Sequence, residues 1–261
     1  MIKTKLKKSQ LWKRIINSDL YQRIKFPVKF EKQQKELFFY RKFLKSHPSK
    51  NLLIFDVGAN KGNKSIIFSK LAKKVVAFEP SPKLFLFLKK RFKESNVIIY
   101  DCALGSKIFQ SSFYIVENNE AYNSLNRKHI ETTVASRNIA NLDTVKIEKI
   151  KVEIIENFIT IHGVPKYIKI DVEGYEQEVI KGLDTPVPLL SFEVNLPEFY
   201  QESIEVITYL DGLSNKKYKY NVSINNSFLL KKFFEKDEII EYLGTTNLSY
   251  LEVFVRLDPT D

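Results

Sequence analysis

The amino-acid sequence predicts a mostly parallel α/β sheet with helices on both faces, an antiparallel C-terminal edge and a helical N-terminal extension. Three observations point there. From residue 52 onward short apolar runs alternate with helical segments, the pattern of strands buried on both sides and joined by crossovers. The first of these runs enters a small-residue turn, Gly58-Ala59-Asn60-Lys61-Gly62, that leads straight into a helical segment. Near the C-terminus two alternating segments lie close enough to pair antiparallel.

In chain order, a first amphipathic helix is expected where Leu11, Trp12, Ile15, Ile16 and Leu20 share one side and Lys7, Lys8, Lys13 and Arg14 take the others. A second is expected over Glu31 to Ser46, with Leu37, Phe38 and Leu44 inward and His47-Pro48 stopping it. Strands follow at Leu52 to Val57, Lys74 to Phe78, Val97 to Tyr100, Tyr167 to Ile170 and Leu189 to Val194. Helices fill the gaps near Asn63 to Ala72, Pro82 to Lys93, Tyr175 to Lys181 and Glu202 to Leu213, a spacing suited to right-handed crossovers. The longer stretch 104–165 holds strand candidates at Phe113 to Val116 and Lys146 to Glu153, and its loops are expected to face a substrate. Tyr218 to Ile224 and Tyr250 to Leu257 form the antiparallel edge, with the charged segment Lys231 to Tyr242 between them.

A chain of 261 residues can build one substantial core, so a 1–50 extension and a 51–261 domain are expected. Cys102, the single cysteine, excludes an internal disulfide and a cysteine-based zinc site, and reads as a small buried apolar residue in a reducing compartment. No apolar run reaches the ~18 residues that span a bilayer, and the Lys-rich start lacks the apolar stretch of a secretory signal; a cytoplasmic address is expected. The net charge is +11, with 15 Lys/Arg against 3 Asp/Glu in residues 1–50 and 27 against 28 in the rest. The basic character is thus assigned to the extension, whose residues 1–25 could lie on the inner face of a membrane or simply dock on the domain. Nucleic acid is disfavoured: Phe85, Phe87, Phe92, Phe233 and Phe234 read as packing, without an RNA-binding motif. Oligomeric state is left open.

The chemistry concentrates where strands end. Gly58 and Gly62 let the backbone turn tightly and approach a ligand. Asn60 occupies what would be the middle glycine of a dinucleotide fingerprint, so a pyrophosphate approaches less easily. Asp56, an acidic strand end, suits an ammonium group such as the amino group of a methionine moiety, which points toward S-adenosylmethionine. Glu79, about twenty residues after the turn, can accept from both ribose hydroxyls. Asp101, at the end of the third strand, can accept from an adenine amino group.

Asp56-Val57-Gly58-Ala59-Asn60-Lys61-Gly62, Phe78-Glu79-Pro80, Ala103-Leu104-Gly105 and Lys169-Ile170-Asp171-Val172-Glu173-Gly174-Tyr175-Glu176 together resemble FkbM-type methyltransferases, over roughly residues 36–210. The resemblance implies a class I methyltransferase (Rossmann-like) fold with a seven-stranded sheet, S-adenosylmethionine as methyl donor, and a hydroxyl acceptor on a sugar, glycan or secondary-metabolite precursor. Ala59 and Ala103 join the expected donor-binding set through it.

Asp171 and Glu173 leave the carboxyl edge of the fourth expected strand and Glu193 and Asn195 that of the fifth, which predicts an acidic pocket. Asp171 is the first choice as base, Glu173 and Glu193 organise the acceptor, and His129 is the alternative base. Lys169, Asn195, Ser124 and His129 are expected to approach the acceptor. Mg²⁺ held by the carboxylates is conceivable but disfavoured, because no dedicated ligand spacing exists. Two rival readings are a nicotinamide-dependent oxidoreductase, which should carry a fuller glycine fingerprint, and a non-enzymatic adaptor that binds through its basic extension.

Overall fold

A computed structural model describes residues 19–46, 51–134 and 142–258. The chain separates into two compact units, residues 1–43 and 44–261. In the first, helix α1 (Asp19–Lys25) is followed by α2 (Pro27–Leu44), which Pro27 opens at a position where its missing N–H costs nothing. Leu37, Tyr40 and Leu44 fall on one buried stripe at helical spacing. Phe38, expected inward, is 68% exposed, because one residue past Leu37 it has already turned about 100° round the helix. The stripe Leu11 to Ile16 and the stop His47-Pro48 lie outside the described residues.

The second unit alternates strands and helices: β1 (Leu53–Val57), α3 (Asn63–Ser69), β2 (Lys74–Phe78), α4 (Pro82–Arg91), β3 (Val97–Tyr100), β4 (Ala103–Gly105), β5 (Phe109–Ile115) and β6 (Lys146–Ile154). It continues with α5 (Ile155–His162), β7 (Tyr167–Ile170), α6 (Glu176–Lys181), β8 (Leu189–Asn195), α7 (Tyr200–Leu213), β9 (Tyr218–Ile224), β10 (Ser227–Phe228), α8 (Lys236–Thr245) and β11 (Tyr250–Leu257). The main sheet runs β10-β9-β11-β8-β7-β1-β2-β3. The five strands from β8 to β3 are parallel, and β11 pairs antiparallel with both β8 and β9. The sheet is therefore the expected seven strands, with the two-residue β10 added as an eighth. The edge is not a simple hairpin, since β11 inserts between β8 and β9. Strands β4, β6 and β5 form a separate three-stranded sheet out of the stretch expected to carry loops and two strands.

The two faces of the main sheet differ. One carries Phe55, Val57, Ile168, Ile170, Leu190, Phe192 and Val194 into a core closed by Ile155, Phe158 and Ile159 of α5, Val179 of α6, Val206 and Ile207 of α7 and Ile239 of α8. Each such side chain contributes about 1.5–3 kcal/mol by leaving water. On the opposite face Asp56, Lys169 and Ser191 stand in register across β1, β7 and β8, all at most 3% exposed. Tyr167 shares a hydrogen bond with Ser191, which donates to Glu252. Most buried polar groups here are satisfied by one another, as burial requires, but Asp56 Oδ1 has no hydrogen-bond partner among the described residues.

β1 is flanked by β2 on one side and β7 on the other, so the strand order reverses there. Such a switch point opens a crevice beyond the carboxyl ends of the strands, and the site lies in it.

Candidate active site

The turn after β1 is built around its backbone. Gly58 has φ 81°, and a Cβ on it would fall 1.8 Å from the Asp171 carbonyl oxygen, so no other residue fits. The amides of Gly58 and Ala59 both donate to the Phe78 carbonyl, and the Asp171 amide donates to that of Val57, which ties β1, β2 and β7 together at their ends. Asn60 has φ 49°; its amide donates to Glu79 Oε2 at 2.7 Å, and the Ser81 amide donates to Oε1 at 2.9 Å. Glu79 is thereby fixed facing the crevice. Burial raises its carboxyl to about 7, against the lowering effect of those two amides.

Beyond the turn lies a cavity of about 680 Å³. Gly58, Asn60 and Glu79 line one side, and Cys102, Ala103, Leu104, Phe113 and Leu125 give it an apolar wall. Asp171 and Glu173 bound it at the end of β7. Burial raises the Cys102 thiol to about 12, so it serves as a small apolar lining residue, as its lone occurrence suggested.

Four donor-side expectations land elsewhere. Asp56 does not line the cavity: strand alternation turns its side chain beneath α3, where it is fully buried and accepts from Ser65 at 2.5 Å. Burial raises its carboxyl, and Lys169 partly offsets this. Asp101 is exposed in the bend after β3 and is not among the cavity's lining residues. Ala59 and Gly62 shape the turn from behind; a Cβ on Gly62, at φ 73°, would meet Leu88 and Phe92 of the α4 segment at 2.7 Å.

Sequence reasoning missed Glu120. It sits in a 3₁₀ turn, Glu120–Tyr122, after β5, lines the cavity, and pairs with Lys83 at 2.9 Å and Lys61 at 3.0 Å. Its carbonyl accepts from Asn60 Nδ2 at 2.9 Å. The Lys83 and Lys61 hydrogen bonds hold its carboxyl down at about 2. The signal was a pair of lysines on one expected site edge with no acid assigned to them, yet nothing periodic in the 104–165 stretch marked Glu120 as their partner.

At the acceptor end, Asp171, Glu173 and Glu193 bring carboxylate oxygens within 4.8 Å of one another. Burial opposes charge on Asp171, but the Lys169 ammonium bonded to it and a hydrogen bond with Glu193 win, and its carboxyl is lowered. Burial beside Glu173 and Asp171 pushes Glu193 well above the usual carboxylate range. Burial likewise opposes charge on Lys169, yet Asp171, Glu252 and Asp56 raise its ammonium on balance. The arrangement favours the ionised form of Asp171 and the protonated form of Glu193. Asn195 Nδ2 donates to Glu193 Oε1 at 2.8 Å, and both line a second cleft of about 310 Å³ with Gly174 and Phe199.

Lys169, Ser124 and His129 do not face an acceptor. Lys169 is 3% exposed and committed to Asp171. Ser124 is fully buried; its hydroxyl donates to the Glu173 carbonyl at 2.6 Å and accepts from the Asn126 amide. Asn126 Nδ2 donates to the Gly174 carbonyl at 2.5 Å. His129, also fully buried, places Nε2 3.4 Å from Glu173 Oε2. Residues 124–129 thus clamp the turn after β7, where Glu173 and Gly174 adopt φ 57° and 89°, and orient Glu173 from behind.

A family model described as "Methyltransferase FkbM domain" matches residues 56–243. The chain belongs to the FkbM methyltransferase family. It is accordingly a methyltransferase that uses S-adenosylmethionine, which sets the oxidoreductase reading aside. No curated protein matches it. Among solved structures it is similar to the plantazolicin methyltransferase BpumL in complex with SAH, at 12% identity over 99% of this chain and 100% of that one, with a TM-score of 0.44. It is also similar to an rRNA methylase from Streptococcus thermophilus, at 12% identity over 84% and 95% of the chains and a TM-score of 0.41. A third is precorrin-6y C5,15-methyltransferase from Geobacter metallireducens GS-15, at 12% identity over 84% and 87% and a TM-score of 0.40. At this level the likeness bears on neither donor nor acceptor. Among the described residues no helix is long and apolar enough to cross a membrane.

Proposed function

We propose that this methyltransferase transfers its methyl group to a hydroxyl on a sugar, glycan or secondary-metabolite precursor. The observation that carries the reading is the cluster of Asp171, Glu173 and Glu193, carboxylate oxygens within 4.8 Å of one another, of which Asp171 and Glu173 bound the donor cavity.

The cavity fits the donor in its chemistry, with bare backbone and a carboxylate on one side and an apolar wall on the other. Bare backbone at Gly58 admits close approach, and the buried Glu79 carboxylate has lone pairs left to accept from a ribose diol. Cys102, Ala103, Leu104 and Phe113 would hold the adenine, and the Gly58–Asn60 turn would take the amino-acid end. When bound, the donor supplies a methyl carbon attached to a positively charged sulfur, which leaves as a neutral thioether.

The residues of this chain do the rest. Asp171 and Glu173 orient the acceptor hydroxyl, and Asp171 takes its proton as the oxygen–carbon bond forms. A carboxylate of low basicity suffices, because an alcohol oxygen becomes strongly acidic once alkylated. Lys169 keeps Asp171 charged throughout, and the Glu193 hydroxyl donates to it. Mg²⁺ is not favoured in the cluster, because the Asp171 carboxylate is already taken by the Lys169 ammonium.

The test is transfer of labelled methyl from S-adenosylmethionine to extracts of the source cells. The labelled product should survive alkali, as an ether does and an ester does not. Asp171→Asn should cut labelling by about 10²–10⁴-fold while S-adenosylhomocysteine affinity, measured by calorimetry, changes little. Unchanged labelling would remove the base assignment. A folded chain that binds neither donor nor product would remove the whole reading.

A further inference from the structure

Residues 51–261 are nearly neutral in total, but their charge is not evenly spread. Between residues 61 and 93 stand ten Lys or Arg and a single acid, Glu79, which is buried. This segment is α3, β2, α4 and the turns between them. On α4, Leu84 and Leu88 face inward, one turn apart. Lys83, Leu86, Phe87 and Lys90 fall at i, i+3, i+4 and i+7, a second stripe on the other side of the helix, flanked by Lys89 and Lys93. Leu86 is 59% and Phe87 46% exposed, and the four lysines are exposed around them. The Arg91 guanidinium lies 5.7 Å from the centre of the Phe87 ring and donates to the Lys61 carbonyl at 2.6 Å, which holds that ring at the surface. A monomer in water gains nothing by exposing two adjacent large apolar side chains among cations.

We propose that the outer stripe of α4 docks on an anionic lipid surface, Leu86 and Phe87 entering the acyl boundary and Lys83, Lys89, Lys90 and Lys93 meeting phosphate headgroups. The charge complementarity and the apolar centre together favour a bilayer, whose acyl boundary takes both side chains, whereas the aliphatic Leu86 has no stacking partner on a nucleic acid. The site is distinct from the basic extension. The stripe begins at Lys83, whose ammonium pairs with Glu120 of the cavity wall, so the bound helix would set the cavity rim toward the membrane.

The full chain is sedimented with vesicles of phosphatidylcholine alone and of phosphatidylcholine mixed with phosphatidylglycerol. Binding should require the anionic lipid. Lys89→Gln/Lys90→Gln should weaken it by roughly fivefold per lysine, and Leu86→Ser/Phe87→Ser by about tenfold. All four positions are exposed, and a thermal melt together with S-adenosylhomocysteine titration checks that fold and cavity are intact, so a failure here is separable from a failure of the donor site. Both variants binding as the parent does would assign any vesicle affinity to the extension and overturn the proposal. So would an absence of binding to the mixed vesicles, or an RNA oligonucleotide bound through Lys89 and Lys90 in a way indifferent to Leu86 and Phe87.

Discussion

The donor end and the acceptor end of the site are built in opposite ways. The part of the donor end that would meet ribose and the amino-acid moiety comes from one contiguous run, β1 to the start of α4, and is held by main-chain amides: Gly58 and Ala59 on Phe78, Asn60 and Ser81 on Glu79. The acceptor end gathers β7, β8 and the 124–129 loop from distant parts of the chain, and its carboxyls set one another's charge through Lys169. A site fixed by backbone tolerates side-chain change but not added volume. One fixed by coupled charges tolerates volume but not a lost charge.

The sharpest way to break that contrast is Gly58→Ala. The added methyl meets a main-chain oxygen in a left-handed conformation, so stability should fall by about 4 kcal/mol in denaturant unfolding, beyond the usual cost of a small substitution. A loss under about 1 kcal/mol would mean the turn is not backbone-locked.

A smaller effect is expected at Glu79. Its folded pKa of about 7 lies above the ordinary glutamate value of 4.5, so the protonated form is favoured by folding: that contribution is complete below about 4.5 and is lost as pH rises through 7. Donor binding runs the other way, since the ribose diol donates to the charged form. Affinity for S-adenosylhomocysteine should therefore rise with pH through 7. Glu79→Gln should weaken binding by about tenfold at pH 8 and flatten the profile, as followed by calorimetric titration. A parent profile that is already flat would place the ribose elsewhere.

The least consequential change is Glu120→Gln. Its partners Lys61 and Lys83 are half or more exposed, so the ion pairs contribute at most about 1 kcal/mol, and S-adenosylhomocysteine affinity should drop by only about threefold, with less difference at high salt. A loss as large as that of Glu79→Gln would make this loop, and not the glycine turn, the main hold on the donor.

What was legible in the sequence follows the same division. Gly58, Asn60 and Glu79 could be placed because the strand, turn and helix that carry them are contiguous and periodic. Asp56 and Asp101 were misplaced for a reason of parity: at a strand end one residue decides whether a side chain meets the crevice, a covering helix or solvent. Ser124 and His129 lie in a stretch without periodicity, and only the folded chain reveals them as buried braces behind Glu173. Helix α5 was hidden because Ile155, Phe158 and Ile159 directly follow the apolar strand β6. Helix α8 sits in a segment read only as charged, although Glu235 and Glu238 form a capping box at its start.

Strand β11 carries a consequence for how the protein is made. It is synthesised after both β8 and β9, yet its place is between them, and neither has a neighbour on that side without it. A nascent chain that has not yet released residues 250–257 from the ribosome holds two open strand margins rich in apolar side chains, ready to recruit other copies. The slow, long-range insertion of one segment thereby governs both the rate of maturation and the window in which aggregation competes with it.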